Sequence, residues 1–218
     1  KVGSYQIPTM VRRAMIAGQP PFDDIDLVLA THSHEDHFDP QMVGEFLAVN
    51  PEARFLSTIQ AISALASSRD DYESIQEQVI GVYPSRGSYE HFVVNGIEVK
   101  VFNLPHGSYP NLGLMIELGG VRVLHTGDFF MEDAQEAIYL LQGYGLPDES
   151  IDIAFIAFPF LRSERYDEVV PQGIQPGLIV PMHYIASETV DLFDLLEKNY
   201  PESIIFYEEM ESVLLTFP

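Results

Sequence analysis

Cysteine is absent from this chain of 218 residues. That excludes disulfide bonds and thiolate ligands, so any metal the chain holds must sit on imidazole and carboxylate groups. Basic residues are scarce: 11 lysines and arginines stand against 33 aspartates and glutamates, a formal net charge of −22. A field of that sign repels phosphate backbones and anionic membrane surfaces, so nucleic acid is not an expected partner. No apolar run approaches the roughly 18 uncharged residues that a membrane helix needs. The opening KVGSYQIPTM lacks the apolar centre of a signal peptide. The expectation is a chain without a membrane span that works in the cytoplasm, with export open if a further segment precedes Lys1. Low-complexity stretches, internal repeats and long linkers are missing as well.

With 46% hydrophobic and 20% charged residues, the chain can bury a sizeable core, and one α/β domain spanning 1–218 is the simplest parse. Residues 25–30 read as a fully buried strand, and the polar THSHEDHF that follows reads as a loop at its C-terminal end. Asp39-Pro40 supplies an N-cap and a first-turn proline for a helix carrying Met42, Val43, Phe46 and Leu47, ended by Asn50-Pro51. A strand over 53–57 and helical patterns to about 66 and over 72–79 follow. Asn95-Gly96 joins strands 92–94 and 97–104, and Gly119-Gly120 joins strands 112–118 and 121–125, which is consecutive antiparallel sheet. Beyond lie a helix over about 132–142, strands over 151–158 and 178–180, a helix over about 188–198, and short strands near 204–207 and 213–216.

His32-Ser33-His34-Glu35-Asp36-His37 carries the chemistry. Residues two apart in extended chain project to one side, so His32 and His34 can grip one ion as a pair. The turn into the helix at Pro40 can aim Asp36 and His37 at a second ion beside it, and such donors suit zinc, iron or manganese. With 7 histidines in the chain, chance produces H-x-H-x-D-H about 5 times in 10,000. His106, Asp128 and His183 each fall just past the end of an expected strand. Singly they read as a turn residue, a capping or turn aspartate and a core histidine. As a set with the cluster they read as further ligands.

The ordered series H-x-H-x-D-H, then His106, then Asp128 after Gly127, then His183, resembles the signature of the metallo-β-lactamase superfamily across nearly the whole chain, with all seven ligand positions filled. PMHY around His183 and TGD at Asp128 look most like the branch of ascorbate-6-phosphate lactonase and uncharacterised zinc-dependent hydrolases, with phospholipase-D-type members nearby. The resemblance implies a four-layer αββα sandwich and a dinuclear site. In that site His32, His34 and His106 hold the first divalent ion, Asp36, His37 and His183 the second, and Asp128 bridges both, with zinc as the metal or else manganese or iron. It further implies hydrolysis by a bridging hydroxide of an ester, lactone or phosphodiester in a small metabolite, with Asp36 carrying the proton. Tyr184, next to His183, is a candidate donor to a developing oxyanion, with packing as its alternative role. His125 is a candidate neighbour of the ligands. Loops near 109–110, 129–130 and 158–165 are expected to frame the pocket, where Arg162 and Arg165 could meet an anionic substrate.

Only 31 residues precede His32, and none reads as the β-hairpin with which the superfamily opens. That hairpin is therefore expected to be shortened, to lie outside this sequence, or to be replaced by a neighbouring subunit pairing with an uncovered sheet edge in a homo-oligomer. The chain has no room for the nucleic-acid domain of the RNA- and DNA-processing branches, nor a flavodoxin-like partner domain. A mononuclear iron oxygenase of the persulfide dioxygenase kind, or a phospholipase-D-type phosphodiesterase, is the alternative activity on this fold. A scaffold with a silent site is a third class.

Overall fold

Two sheets arise because the strands that follow helices and the strands that follow tight turns have different apolar patterns. The computed structural model describes residues 8–184, 189–206 and 211–217. Strands β1 (Leu27–Leu29), β2 (Arg54–Thr58) and β3 (Val79–Val82) form a three-stranded parallel sheet in that order. Strands β4 (Tyr89–Val94), β5 (Ile97–Asn103), β6 (Leu112–Leu118), β7 (Val121–His125), β8 (Ile153–Ala157) and β9 (Leu178–Met182) form a six-stranded sheet, also in chain order. Pairing is antiparallel from β4 to β7 and parallel from β7 to β9. Asn95 and Gly96, with φ of 50° and 82°, make the left-handed turn that lets β4 and β5 pair with only two residues between them.

The helices are α1 (Thr9–Ile16), α2 (Pro40–Val49), α3 (Ile59–Ser67), α4 (Ala134–Gly143), α5 (Val169–Gly173) and α6 (Thr189–Asn199). Period-2 alternation decides which side of a strand meets which layer. Phe55 of β2 packs with Val43, Phe46 and Leu47 of α2 and Ala61 and Leu65 of α3, whereas the adjacent Leu56 packs with Val99, Val101, Leu112 and Leu114 between the sheets. Phe102, Met115 and Leu124 of the larger sheet face outward onto Ala137, Ile138 and Leu141 of α4, Val169 and Val170 of α5, and Leu196 of α6. The layers are thus helices, sheet, sheet, helices, the expected αββα sandwich. Among the described residues no strand precedes β1, and no helix is long and apolar enough to cross a membrane.

Two expectations are corrected. The helix over 72–79 is two 3-10 turns, Tyr72–Ser74 and Gln76–Gln78, followed by β3. Gln78 decides this: its buried Nε2 donates to the carbonyls of Leu47, Asn50 and Ala53 at 3.2, 2.9 and 3.1 Å. That anchors the segment under the C-terminus of α2, and the β-branched residues beyond then pair with β2. The short strands near 204–207 and 213–216 are also absent: Tyr207 lies outside the described residues, 204–206 make no strand, and 211–217 have no regular structure. An isolated bridge joins Ser203 to Ile179, with Ile179 N–H donating to Glu202 and Ile204 N–H donating to Ile179. The next β9 residue on that edge is Pro181, which has no N–H to continue a ladder. Glu188, the expected start of the last helix, is likewise outside the described residues.

Replacing Gln78 with alanine strands three carbonyls at the end of α2. We expect a loss of about 1–3 kcal/mol and a melting temperature about 5 °C lower in thermal denaturation, with metal uptake retained. An unchanged melting temperature contradicts that role.

Candidate metal centre

The parallel strands β1, β7, β8 and β9 share an edge orientation with β5, and the loops leaving their C-terminal ends converge, as in other open α/β arrangements. The loop after β1 is pinned at both ends. Thr31 O accepts from Leu112 N–H at 2.9 Å, tying the loop to β6 across the two sheets. Phe38 stacks on Phe55, ring centroids 5.4 Å apart and 5° from parallel. Between these anchors, His37 and Phe38 N–H both donate to His34 O, and this turn swings Asp36 and His37 back toward His32. Asp39 then caps α2 by accepting from Met42 N–H at 2.9 Å and pairs with Arg12 of α1 at 2.8 Å.

The structure brings together all seven residues singled out as ligands. His32, His34, His106 and Asp128 offer donor atoms within 4.8 Å of one another, and so do Asp36, His37 and His183. Asp128 lies between the groups: its Oδ2 is 3.6 Å from His32 Nε2, 3.7 Å from His106 Nε2 and 3.3 Å from His183 Nε2. Its Oδ1 is 3.0 Å from His37 Nε2. Asp36 Oδ2 lies 3.3 Å from His183 Nε2 and 3.8 Å from His37 Nε2. Thr31 Oγ1 contacts His32 Nδ1 at 3.0 Å, so His32 presents Nε2 inward, 3.0 Å from His34 Nδ1.

Two residues that sequence reasoning did not single out as functional, Asn111 and Thr31, fix this geometry together with Gly127 of the signature. Asn111, 1% exposed, donates to the carbonyls of Leu104 and Thr126 and accepts from Asp128 N–H, locking the loops after β5 and β7 to each other. Thr31 orients the His32 ring. Gly127 has φ of +58°, and a Cβ there would lie 2.1 Å from Asn111 Oδ1 and 2.9 Å from Thr31 Cβ. Their sequence signals were faint: a lone amide opening the buried strand NLGLM, and a hydroxyl just ahead of the first histidine. His183 is itself left-handed, with φ of +65°, a conformation a non-glycine residue keeps only where its surroundings enforce it.

Burial and neighbouring charge set the protonation states. Burial, then the charge of His37, pushes His32 down to about 4. Burial lowers His106 and takes His125 to about 4. Burial alone would raise Asp128, but the close approach of His183 and His37 outweighs it and holds the carboxyl below the usual carboxylate range. Chiefly through Asp128, His183 is raised to about 9.

Divalent cations fit these residues. Asp128 Oδ1 is buried and makes no well-aligned hydrogen bond, although His37 Nε2 lies 3.0 Å away, a costly state for a carboxylate oxygen unless positive charge balances it. Imidazole nitrogen with carboxylate oxygen is the donor set of zinc, iron and manganese.

The other expected residues lie around this centre. His125 Nδ1 accepts from Gly127 N–H at 3.0 Å, and its ring stacks on Phe155. Tyr184 Oη donates to Phe206 O at 3.1 Å and its ring meets Phe158. The guanidinium groups of Arg162 and Arg165 lie over the rings of Phe158 and Tyr166, at 5.7 and 5.5 Å.

Residues 8–198 match the protein family described as the β-lactamase superfamily domain. A UPF0173 metal-dependent hydrolase of Thermococcus onnurineus is 27% identical over 195 residues, covering 84% of this chain and 79% of that one. Among solved structures, the metallo-β-lactamase fold protein YhfI of Bacillus subtilis superposes with a TM-score of 0.56 at 12% identity, over 87% of this chain and 77% of its own. CmlA of Streptomyces venezuelae, a diiron β-hydroxylase, gives a TM-score of 0.58 at 14% identity, over 85% of this chain and 45% of its own. At these identities the two structures speak to fold alone.

Gly127→Ala should abolish tight metal uptake, because the loop must move Asn111 or Thr31 to admit the methyl group; isothermal titration with zinc checks it, and wild-type affinity refutes it. Metal binding should also release protons. His183, protonated up to about 9 in the metal-free chain, must give up its proton to coordinate, whereas His32, at about 4, is already neutral at pH 7. Affinity should therefore rise with pH and level off above 9. Zinc titrations at pH 7 in buffers of different ionisation enthalpy should show a released proton that His183→Ala lacks.

Proposed function

The chain belongs to the β-lactamase superfamily as a metal-dependent hydrolase of the metallo-β-lactamase fold, and from that premise we propose that it uses two divalent ions, zinc in the first instance, to hydrolyse an ester, lactone or phosphodiester bond of a small metabolite. One observation carries the dinuclear reading. Asp128 turns one carboxylate oxygen toward His32, His106 and His183 and the other toward His37, so a single side chain touches both donor groups.

His32, His34 and His106 would hold the first ion, Asp36, His37 and His183 the second, with Asp128 between them. When bound, such a pair of ions supplies the acidity that lets water attack at neutral pH and a positive charge facing the oxygen that becomes anionic. The remaining work falls to the chain. Asn111 and Gly127 hold Asp128 still, and Thr31 fixes which nitrogen His32 presents, so little reorganisation accompanies reaction.

Asp36 is the proton carrier. Its side chain is 43% exposed and its Oδ2 faces His183 and His37, so a proton taken from the attacking water can pass to the departing oxygen. An oxyanion role for Tyr184 requires its hydroxyl to exchange the Phe206 carbonyl for substrate. Small metabolites suit a net charge of −22, which disfavours long polyanions.

The test is a panel of esters, lactones and phosphodiesters offered to the zinc-loaded chain. Turnover of at least one class is expected, with Asp36→Asn lowering kcat by about 100-fold or more even at zinc concentrations that refill the second position. Oxygen consumption by an iron-loaded chain that turns over none of the panel would replace hydrolysis with oxygenation.

A further inference from the structure

The wall of the centre on the His34 and His106 side is aromatic. Tyr109 lies in the loop between β5 and β6, and its N–H donates to His106 O at 3.0 Å. Its ring stands edge-on to His34, centroids 4.3 Å apart, and tilted toward His106 at 6.1 Å. Phe130 flanks His106 from the other loop: its backbone bridges that of His106, and its N–H donates to Pro105 O at 2.9 Å. The Phe130 ring rests 5.8 Å from those of Phe160 and Tyr166, both buried. His106 is thus bracketed by two aromatic residues whose backbones are fixed to its own loop.

Neither bracket is folded away. Tyr109 is 55% and Phe130 37% exposed, so aromatic surface stands open directly beside the candidate ligands His34 and His106. The charges beside them are acidic: Glu35, Glu132 and Asp133 are exposed in the two neighbouring loops. The guanidinium of Arg162 lies over Phe158, and that of Arg165 over Tyr166, on whose ring Phe130 packs. An uncharged ring placed against Tyr109 would meet a matching surface.

Resting on the reading of the centre as hydrolytic, we propose that the substrate carries an uncharged aromatic or planar apolar group next to its scissile bond, and that Tyr109 and Phe130 select for it. The Tyr109 ring is within one ring's thickness of His34, so the group it receives lies beside the reacting atoms rather than at a distant subsite. Offset or edge-on packing of rings supplies both the preference and the orientation. Tyr109 acts here through its ring, so its hydroxyl is dispensable.

Two measurements separate this proposal from the hydrolytic reading. In the zinc-loaded chain, kcat/KM for a phenylacetyl ester should exceed that for the matching acetyl ester. Tyr109→Ala should cut that ratio by about 10-fold, and Tyr109→Phe should keep it. Independently of turnover, benzohydroxamate should bind more tightly than acetohydroxamate by calorimetry, and Tyr109→Ala should erase the difference. Preference for benzohydroxamate without turnover of any ester, lactone or phosphodiester in the panel would keep the aromatic wall and overturn the hydrolytic reading. Equal affinity for the two hydroxamates in the wild-type chain, or a preference that Tyr109→Ala leaves intact, would overturn the wall whatever the esters do.

Discussion

Everything around the centre answers to one demand: the Asp128 carboxylate must stand, buried, among imidazoles from three other loops. A buried carboxylate whose Oδ1 makes no well-aligned hydrogen bond, crowded by histidine nitrogens 3.0–3.7 Å away, makes a poor resting arrangement for side chains alone. Cations turn it into a favourable one. Among the side chains themselves, Asp128 favours a proton on His183, whereas burial and His37 disfavour one on His32.

The sandwich exists, functionally, to hold four loops to that tolerance. Leu112 N–H reaches across from β6 to Thr31 and ties the smaller sheet's loop to the larger sheet, and the single amide of Asn111 ties the two loops of the larger sheet to each other. Left-handed backbone occurs at the centre as well as in the turns elsewhere. Gly127 and His183 are both left-handed, and the first is glycine because no side chain fits between Asn111 and Thr31. Such conformations persist where packing over-determines them, and at a ligand site they aim donors that relaxed backbone would point elsewhere.

The candidate cluster was legible in the sequence because its members are rare residue types at strict spacing just beyond strands, and the structure gathers them into two groups that could hold metal. Both hairpins were legible as well, since Asn95-Gly96 and Gly119-Gly120 admit the left-handed turns that paired strands demand. What escaped was whatever depends on distant partners. The 72–79 segment has helical spacing, yet Gln78 is claimed by carbonyls 25 to 31 residues away. The strand expected near 204–207 has β-rich composition, yet Pro181, next along the facing edge, has no N–H to extend the ladder beyond Ile179. Asn111 and Thr31 escaped for the same reason: an amide or a hydroxyl announces nothing until the loop it binds is in place.

The most direct test of the account is a metal count on the purified chain after reloading with zinc, by elemental analysis against protein concentration. Two ions per wild-type chain are predicted, falling to one or none in Asp128→Ala with secondary structure preserved by circular dichroism. A wild-type chain that binds no divalent ion, or an Asp128→Ala chain that still holds two, would contradict it.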